Sequence, residues 1–223
     1  MWIIKLGGSV IRQDSLVRWL QLVATHGDGK VIIVPGGGVF ADAVRSFQAT
    51  RAAMPDGHLS DPEAHRLAVF AMDQMARSLV ACVPELVLVR NPLEMAERGW
   101  QHRGLVWLPS EMVLHPAMGP AGSLPEHWET TSDSLAAWLA AQTEACKLLL
   151  IKSDDRLLES SVDYQLPAMQ AAGILDQEIG HVLARTRVDT WVIHHSQADC
   201  FAQGWHDSGL GLVRAGGRLR QVQ

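Results

Sequence analysis

Short aliphatic runs recur along this chain, each followed by a segment of helical periodicity. That alternation limits the possible folds more than any other feature. The runs are Trp2-Ile3-Ile4, Lys30-Val31-Ile32-Ile33-Val34, Leu86-Val87-Leu88-Val89, Leu105-Val106-Trp107-Leu108, Lys147–Lys152 and Thr190-Trp191-Val192-Ile193. None alternates polar with apolar residues, so each reads as a strand buried on both faces. Between them, Asp14 is a candidate N-cap for a helix that carries Leu16, Trp19, Leu20 and Val23 on one face and stops at Gly27. A second helix is expected over about 39–53, and Asp61-Pro62 offers an N-cap and a first-turn proline for a long one reaching Cys82. Thr131-Ser132-Asp133 opens another, with Leu135, Ala136, Leu139 and Ala140 along it. Strands alternating with helices mean βαβ units and a mainly parallel sheet covered on both faces. The expectation is a single α/β domain over residues 1–223, with Pro116–Pro125 as its longest loop.

Composition narrows the function classes. With 48% apolar and 19% charged residues the chain is not disordered. Its longest apolar runs fall far short of the roughly 20 residues needed to cross a bilayer, so no membrane partner is expected. Met1-Trp2-Ile3-Ile4-Lys5 lacks a basic leader followed by an apolar core, which points to a cytoplasmic protein. A net charge of -5, from 19 basic and 24 acidic residues, argues against nucleic acid as a partner. Cys82, Cys146 and Cys200 are widely spaced and read as reduced thiols.

In open parallel sheets ligands bind beyond the carboxyl ends of the strands. Four segments fall there: Gly7-Gly8-Ser9, Gly36-Gly37-Gly38, Ser132-Asp133-Ser134 and Lys152-Ser153-Asp154-Asp155. Glycine permits close backbone approach, and successive amides at a helix start make an anion site. Either glycine turn alone is equally well a tight strand-to-helix connection, and neither is a Walker A loop or a GxGxxG fingerprint. Two on one sheet edge point to a polyanion. Lys5 lies in a strand beside the first turn, where an unpaired charge is costly; it either reaches solvent from an edge or neutralises a transferring phosphoryl group. Asp133 is either a capping acid or the group that orients lysines, and Lys152 either forms a surface salt bridge or joins them. His194-His195 with Asp199, Cys200 and His206 match no zinc spacing, so no metal site is expected.

Taken in order, Ile4-Lys5-Leu6-Gly7-Gly8-Ser9, Val34-Pro35-Gly36-Gly37-Gly38, Thr131-Ser132-Asp133-Ser134 and Ile151-Lys152-Ser153-Asp154 resemble the amino acid kinase superfamily. Within it, several pieces are similar to the small kinases of methanofuran biosynthesis, which phosphorylate an aminomethylfuran methyl phosphate to the diphosphate. They are Gly36–Ala41, His65-Arg66-Leu67-Ala68 with Met72-Asp73, Leu108-Pro109-Ser110, His127–Leu135, and Val162-Asp163 with Pro167. The resemblance implies a three-layer αβα sandwich of the carbamate kinase-like type and an ATP-dependent phosphotransferase acting on a small phosphomonoester. It implies Lys5, Asp133 and Lys152 as the catalytic set, with Gly7, Gly8, Ser9 and Asp154 on the nucleotide. Gly36, Gly37, Gly38, His65 and Ser132 fall to the acceptor, although His65 could equally be an exposed helix histidine. Magnesium would be carried in by ATP and held mostly by its phosphates. Pairing of subunits is also implied, and Leu67–Met72 is either that surface or a helix buried within the monomer.

The nucleotide segment departs from the family pattern. Ser153-Asp154-Asp155-Arg156 stands where relatives read Asp-Val-Asp-Gly, and no lysine follows Lys152, leaving Arg156, Arg185 or Arg187 to supply charge. Three readings therefore remain: a phosphomonoester kinase, a relative that binds a ligand or partner without turnover, and a carboxylate or carbamate kinase using Arg45, Arg51 or Arg66.

Overall fold

The computed structural model describes residues 1–54, 56–115, 122–186, 188–203 and 216–220. Its core is a seven-stranded sheet: β1 (Trp2–Leu6), β2 (Val31–Pro35), β3 (Val87–Val89), β4 (Gly104–Trp107), β5 (Lys147–Lys152), β6 (Asp189–His194) and β7 (Gly216–Arg218). Their order is β3-β4-β2-β1-β5-β6-β7. The first six are parallel, and β7 runs antiparallel along the edge at β6. The chain is thus an α/β protein built on a mainly parallel sheet, as the aliphatic runs predict.

Side-chain alternation along the strands divides the interior in two. Ile3, Ile32, Val34, Leu148, Leu150 and Val192 point to one face, where α6 (Ser132–Gln142) and α8 (Ile179–Leu183) pack. Ile4, Leu6, Ile33, Leu149, Ile151 and Ile193 point to the other, against α1 (Ser15–His26) and α9 (Ala198–Ala202). α2 (Gly38–Ala52) pairs with α3 (Asp61–Cys82), whose length lets it contribute to both halves: Val69 and Met72 to the first, Met75 and Leu79 to the second. Trp19 and Trp107 are fully buried, each with its indole N–H donated to a backbone carbonyl, at His195 and Arg90 respectively.

Several local expectations shift. Ser60, not Asp61, caps α3: its hydroxyl accepts from the Glu63 amide, and Asp61-Pro62 occupy the first turn. Asp14 precedes α1 without a side-chain capping bond. α4 (Pro92–Gly99) was signalled by Asn91-Pro92 but not predicted; the Asn91 side chain accepts from the Glu94 amide at 3.0 Å. β7 has no aliphatic run to announce it, because an antiparallel edge strand needs only backbone pairing. α5 (Ser110–Leu114), α7 (Leu166–Ala171), α8 and α9 are one- or two-turn helices too short for a periodicity to stand out. Of the Pro116–Pro125 loop, residues 116–121 lie outside the described residues, as do Arg187 and His206. The three cysteines are free and exposed. Among the described residues no helix is long and apolar enough to cross a membrane. In the Leu67–Met72 segment, Val69, Ala71 and Met72 are buried while Leu67 and Phe70 face outward.

Candidate active site

The two lysines meet because of strand register. β1 and β5 are adjacent and parallel, with Lys5 opposite Leu150. Lys152 is two residues further on, so both ammonium groups project from the same face of the sheet. Asp133 comes to that face in the first turn of α6, where the Thr131 hydroxyl accepts from the Asp133 amide at 3.2 Å. Lys5 Nζ lies 2.6 Å from one Asp133 oxygen, and Lys152 Nζ donates to the other. Asp133 is 2% exposed and Lys5 4%. Two cations, Lys5 buried and Lys152 partly so, therefore share one buried anion. Burial alone raises the Asp133 carboxyl, but Lys152 and Lys5 more than reverse this and hold it at about 2. Burial pulls the Lys5 ammonium down to about 8; the Asp133 charge opposes the shift and the nearby Lys152 adds to it.

The glycine turns are packed backbone against backbone. Gly36 donates its amide to Leu6 O at 2.9 Å, and Gly7 donates to Ile151 O at 3.0 Å, so both turns are tied to strand ends. A Cβ on Gly36 would lie 2.5 Å from the Gly8 nitrogen. Gly38 has φ +51, which favours glycine, and begins α2. The Ser9 and Ser153 hydroxyls, 2.5 Å apart, join the first turn to the end of β5.

A cavity of about 350 Å³ opens from this point between α2 and α3. α2 presents Gly38, Ala41, Asp42 and Arg45 to it, and α3 presents His65, Ala68, Val69 and Met72; each set has the i, i+3, i+4, i+7 spacing of one helical face. Lys5, Asp133 and Lys152 line its inner end. Gly8, Ser9, Gly37 and Ser132 also line it, whereas Gly7 and Gly36 instead support the turns. His65 is buried, not exposed, and its Nδ1 pairs with His127 O at 3.1 Å. Burial lowers the imidazole below its usual range. Thr130 lines the cavity with a buried hydroxyl that has no hydrogen-bond partner among the described residues, which suits a polar ligand.

Other predicted residues lie apart. Asp154 caps the 155–158 turn and is held by Arg156, whose Nε donates to it at 2.8 Å. The same guanidinium also donates to Ala172 O at 2.9 Å, so Arg156 is committed to local structure. His194 pairs with Ser196 and His195 with Ser15, at 2.7 and 2.8 Å. A different group, His127, Glu129 and Glu178, brings ligand atoms within 4.8 Å of one another and could hold a cation.

Sequence reasoning missed Asp176 entirely. Its carboxylate accepts from the amides of Thr131, Ser134 and Ile179 and from both the Thr131 and Ser134 hydroxyls. It thereby clamps the start of α6, and with it Asp133, to the start of α8. Burial and the neighbouring Asp133 charge raise its carboxyl. No local pattern could have linked it to a motif so far back in the chain. Asp42 and Arg45 were legible in principle, through their helical spacing from Gly38.

Comparison with known proteins places this geometry. The pattern of the Amino acid kinase family matches residues 1–166. The chain is 24% identical over 161 residues to (5-(aminomethyl)furan-3-yl)methyl phosphate kinase of Methanocaldococcus jannaschii, covering 71% of this chain and 68% of that one. Its fold is similar to uridylate kinase from Archaeoglobus fulgidus, with TM-score 0.59 and 19% identity over 91% of this chain and 95% of that one. Isopentenyl phosphate kinase is similar too, with TM-score 0.57 and 14% identity over 92% and 96%. With a match across residues 1–166 and a lysine–aspartate–lysine cluster beside paired glycine turns, the chain belongs to the amino acid kinase family and is a kinase.

Proposed function

We propose that this kinase uses ATP to phosphorylate a small phosphomonoester to its diphosphate. The acceptor is (5-(aminomethyl)furan-3-yl)methyl phosphate or a near analogue, in methanofuran-type cofactor biosynthesis of a methylotroph. The observation that carries the reading is the cavity itself: two lysines, one buried and one partly buried, share one aspartate at its inner end, and the glycine-rich start of α2 lies beside them. A cluster with two lysines to one aspartate favours a polyanion. The names of the similar proteins support a phosphate-bearing acceptor.

The chemistry asks for positioning and charge neutralisation. An acceptor phosphate oxygen attacks the γ-phosphorus; the bond to the ADP oxygen breaks as the new P–O–P bond forms. That oxygen is already anionic, so no general base is required. Lys5 and Lys152 neutralise charge on the transferring group, and Asp133 fixes both in place. The Gly8 amide and the Ser9 hydroxyl form a cradle for the ATP phosphates, on a turn that the Gly7 amide ties to Ile151 O; a Cβ on Gly8 would lie 3.1 Å from the Gly38 nitrogen. Magnesium, carried by ATP, supplies further charge neutralisation there. Gly37, Gly38, Ser132 and the Thr130 hydroxyl face the acceptor. His65 donates Nδ1–H to the His127 carbonyl, which leaves Nε2 as the ring nitrogen free to meet the acceptor.

The engagement of Arg156 by Asp154 favours a second reading, a relative that binds without turnover. An ADP-release assay with ATP-Mg²⁺ decides between them. Turnover of the aminomethylfuran phosphate, with none of glutamate or carbamate, is expected. Nucleotide binding by calorimetry without ADP release from any acceptor would refute the kinase reading of this substrate class.

A further inference from the structure

We propose that Asp42 recognises a protonated amine on the acceptor, so that the cavity selects phosphomonoesters carrying a cationic group about one helical turn from the phosphate. This assignment rests on the phosphomonoester reading for the anionic end and adds the opposite one. Of the residues lining the cavity, two are carboxylates, Asp133 and Asp42. Asp133 is saturated by Lys5 and Lys152 and closed to solvent. Asp42 is half-exposed and tied to Arg12 at 3.4 Å and Arg45 at 3.1 Å. Exposed pairs of this kind are weak and exchange readily, so a ligand ammonium can replace either guanidinium at small cost.

The spacing fits a bipolar ligand. Gly38 opens α2 at the phosphate end, and Asp42 stands four residues on, about 6 Å at 1.5 Å per residue. This is comparable with the reach across a five-membered ring bearing two one-carbon arms. Ala68, Val69 and Met72 on α3 flank the interval with apolar surface and offer no polar partner to the middle of the ligand. Arg45 keeps a second resting place when it yields Asp42, because its guanidinium lies 4.6 Å from the centre of the Trp128 ring. That ring is fixed in turn, with Trp128 Nε1 donating to Gln48 Oε1 at 2.6 Å.

The test is calorimetry without nucleotide, comparing the aminomethylfuran phosphate with an isosteric analogue that carries ethyl in place of aminomethyl. A charge-assisted hydrogen bond predicts that wild type binds the amine about ten- to a hundredfold more tightly. Asp42→Asn should bring the two acceptors to within about twofold, and Asp42→Glu should restore part of the preference. A merely structural role would weaken both acceptors together and leave their ratio intact; that result, or a wild type with no preference, overturns the proposal. ADP release separates the two readings. Equal turnover of both acceptors leaves the kinase reading standing and sinks this one. An Asp42-dependent preference in binding without any turnover does the reverse.

Discussion

Raising the pH through 8 removes the charge that this site depends on. The Lys5 ammonium falls from 10.5 to about 8 because burial penalises it more than Asp133 stabilises it. That difference of about 2.5 corresponds to roughly 3 kcal/mol in favour of the neutral amine. Only the ammonium neutralises a phosphoryl group. The ratio kcat/KM, which reports the free enzyme, is therefore expected to fall about tenfold per pH unit above 8 and to lie some thirtyfold below its plateau at pH ~9.5. In kcat the same limb moves to higher pH, since a bound polyanion holds the proton on. Unfolding does not explain the loss. Between about 8 and 10.5 the unfolded chain binds the Lys5 proton and the folded chain does not, so this group makes the fold more stable as pH rises. ADP release at low acceptor concentration, with circular dichroism in parallel, measures both. Lys5→Arg, whose guanidinium stays charged, is expected to be slower but to lose the alkaline limb. A flat wild-type profile across this range, or a limb that persists in Lys5→Arg, refutes the assignment.

Asp133→Asn leaves the buried Lys5 ammonium and the partly buried Lys152 ammonium without their anion; a loss of about 3–5 kcal/mol in urea unfolding and abolished turnover are expected. The depressed Asp133 carboxyl contributes stability above its ordinary value of 3.8 that is lost as pH falls towards 2, and an acid titration of the Asn variant should lack that component. Asp176→Ala removes the acceptor for five hydrogen bonds at the start of α6 and α8; kcat should fall more than KM rises, with a stability loss of roughly 3 kcal/mol. Gly36→Ala forces a methyl to within 2.5 Å of the Gly8 nitrogen and should abolish turnover. Gly173→Ala, at φ +70 with open space around its Cβ, should cost only about 1 kcal/mol of stability and leave turnover unchanged.

The sheet was legible because a strand buried on both faces writes itself as an unbroken aliphatic run, and all six such runs emerge within two residues of their expected limits. The lysine–aspartate–lysine cluster was legible for a related reason: Lys5, Lys152 and Asp133 each sit where a strand ends or a helix begins, so topology alone delivers them to one edge. Asp176 was not, because its role depends on a side chain crossing between two helix starts. Asp154 illustrates the converse. The family resemblance implies a nucleotide contact for it, and the structure adds a pairing with Arg156 two residues later that sequence proximity favours but cannot establish. His65 shows a third limit: periodicity placed it on α3, but only the packing of the 127–131 segment determined that it is enclosed.

The abutting main chains of the first and second glycine turns also bear on how ligands held by them could affect one another. With no side chain between them to act as a cushion, neither turn can move towards the other without meeting backbone. Whatever affinity the phosphoryl donor gains once the acceptor is seated, the acceptor must gain equally from the donor. Any coupling between a ligand at one turn and a ligand at the other would therefore cross a contact made from peptide bonds alone.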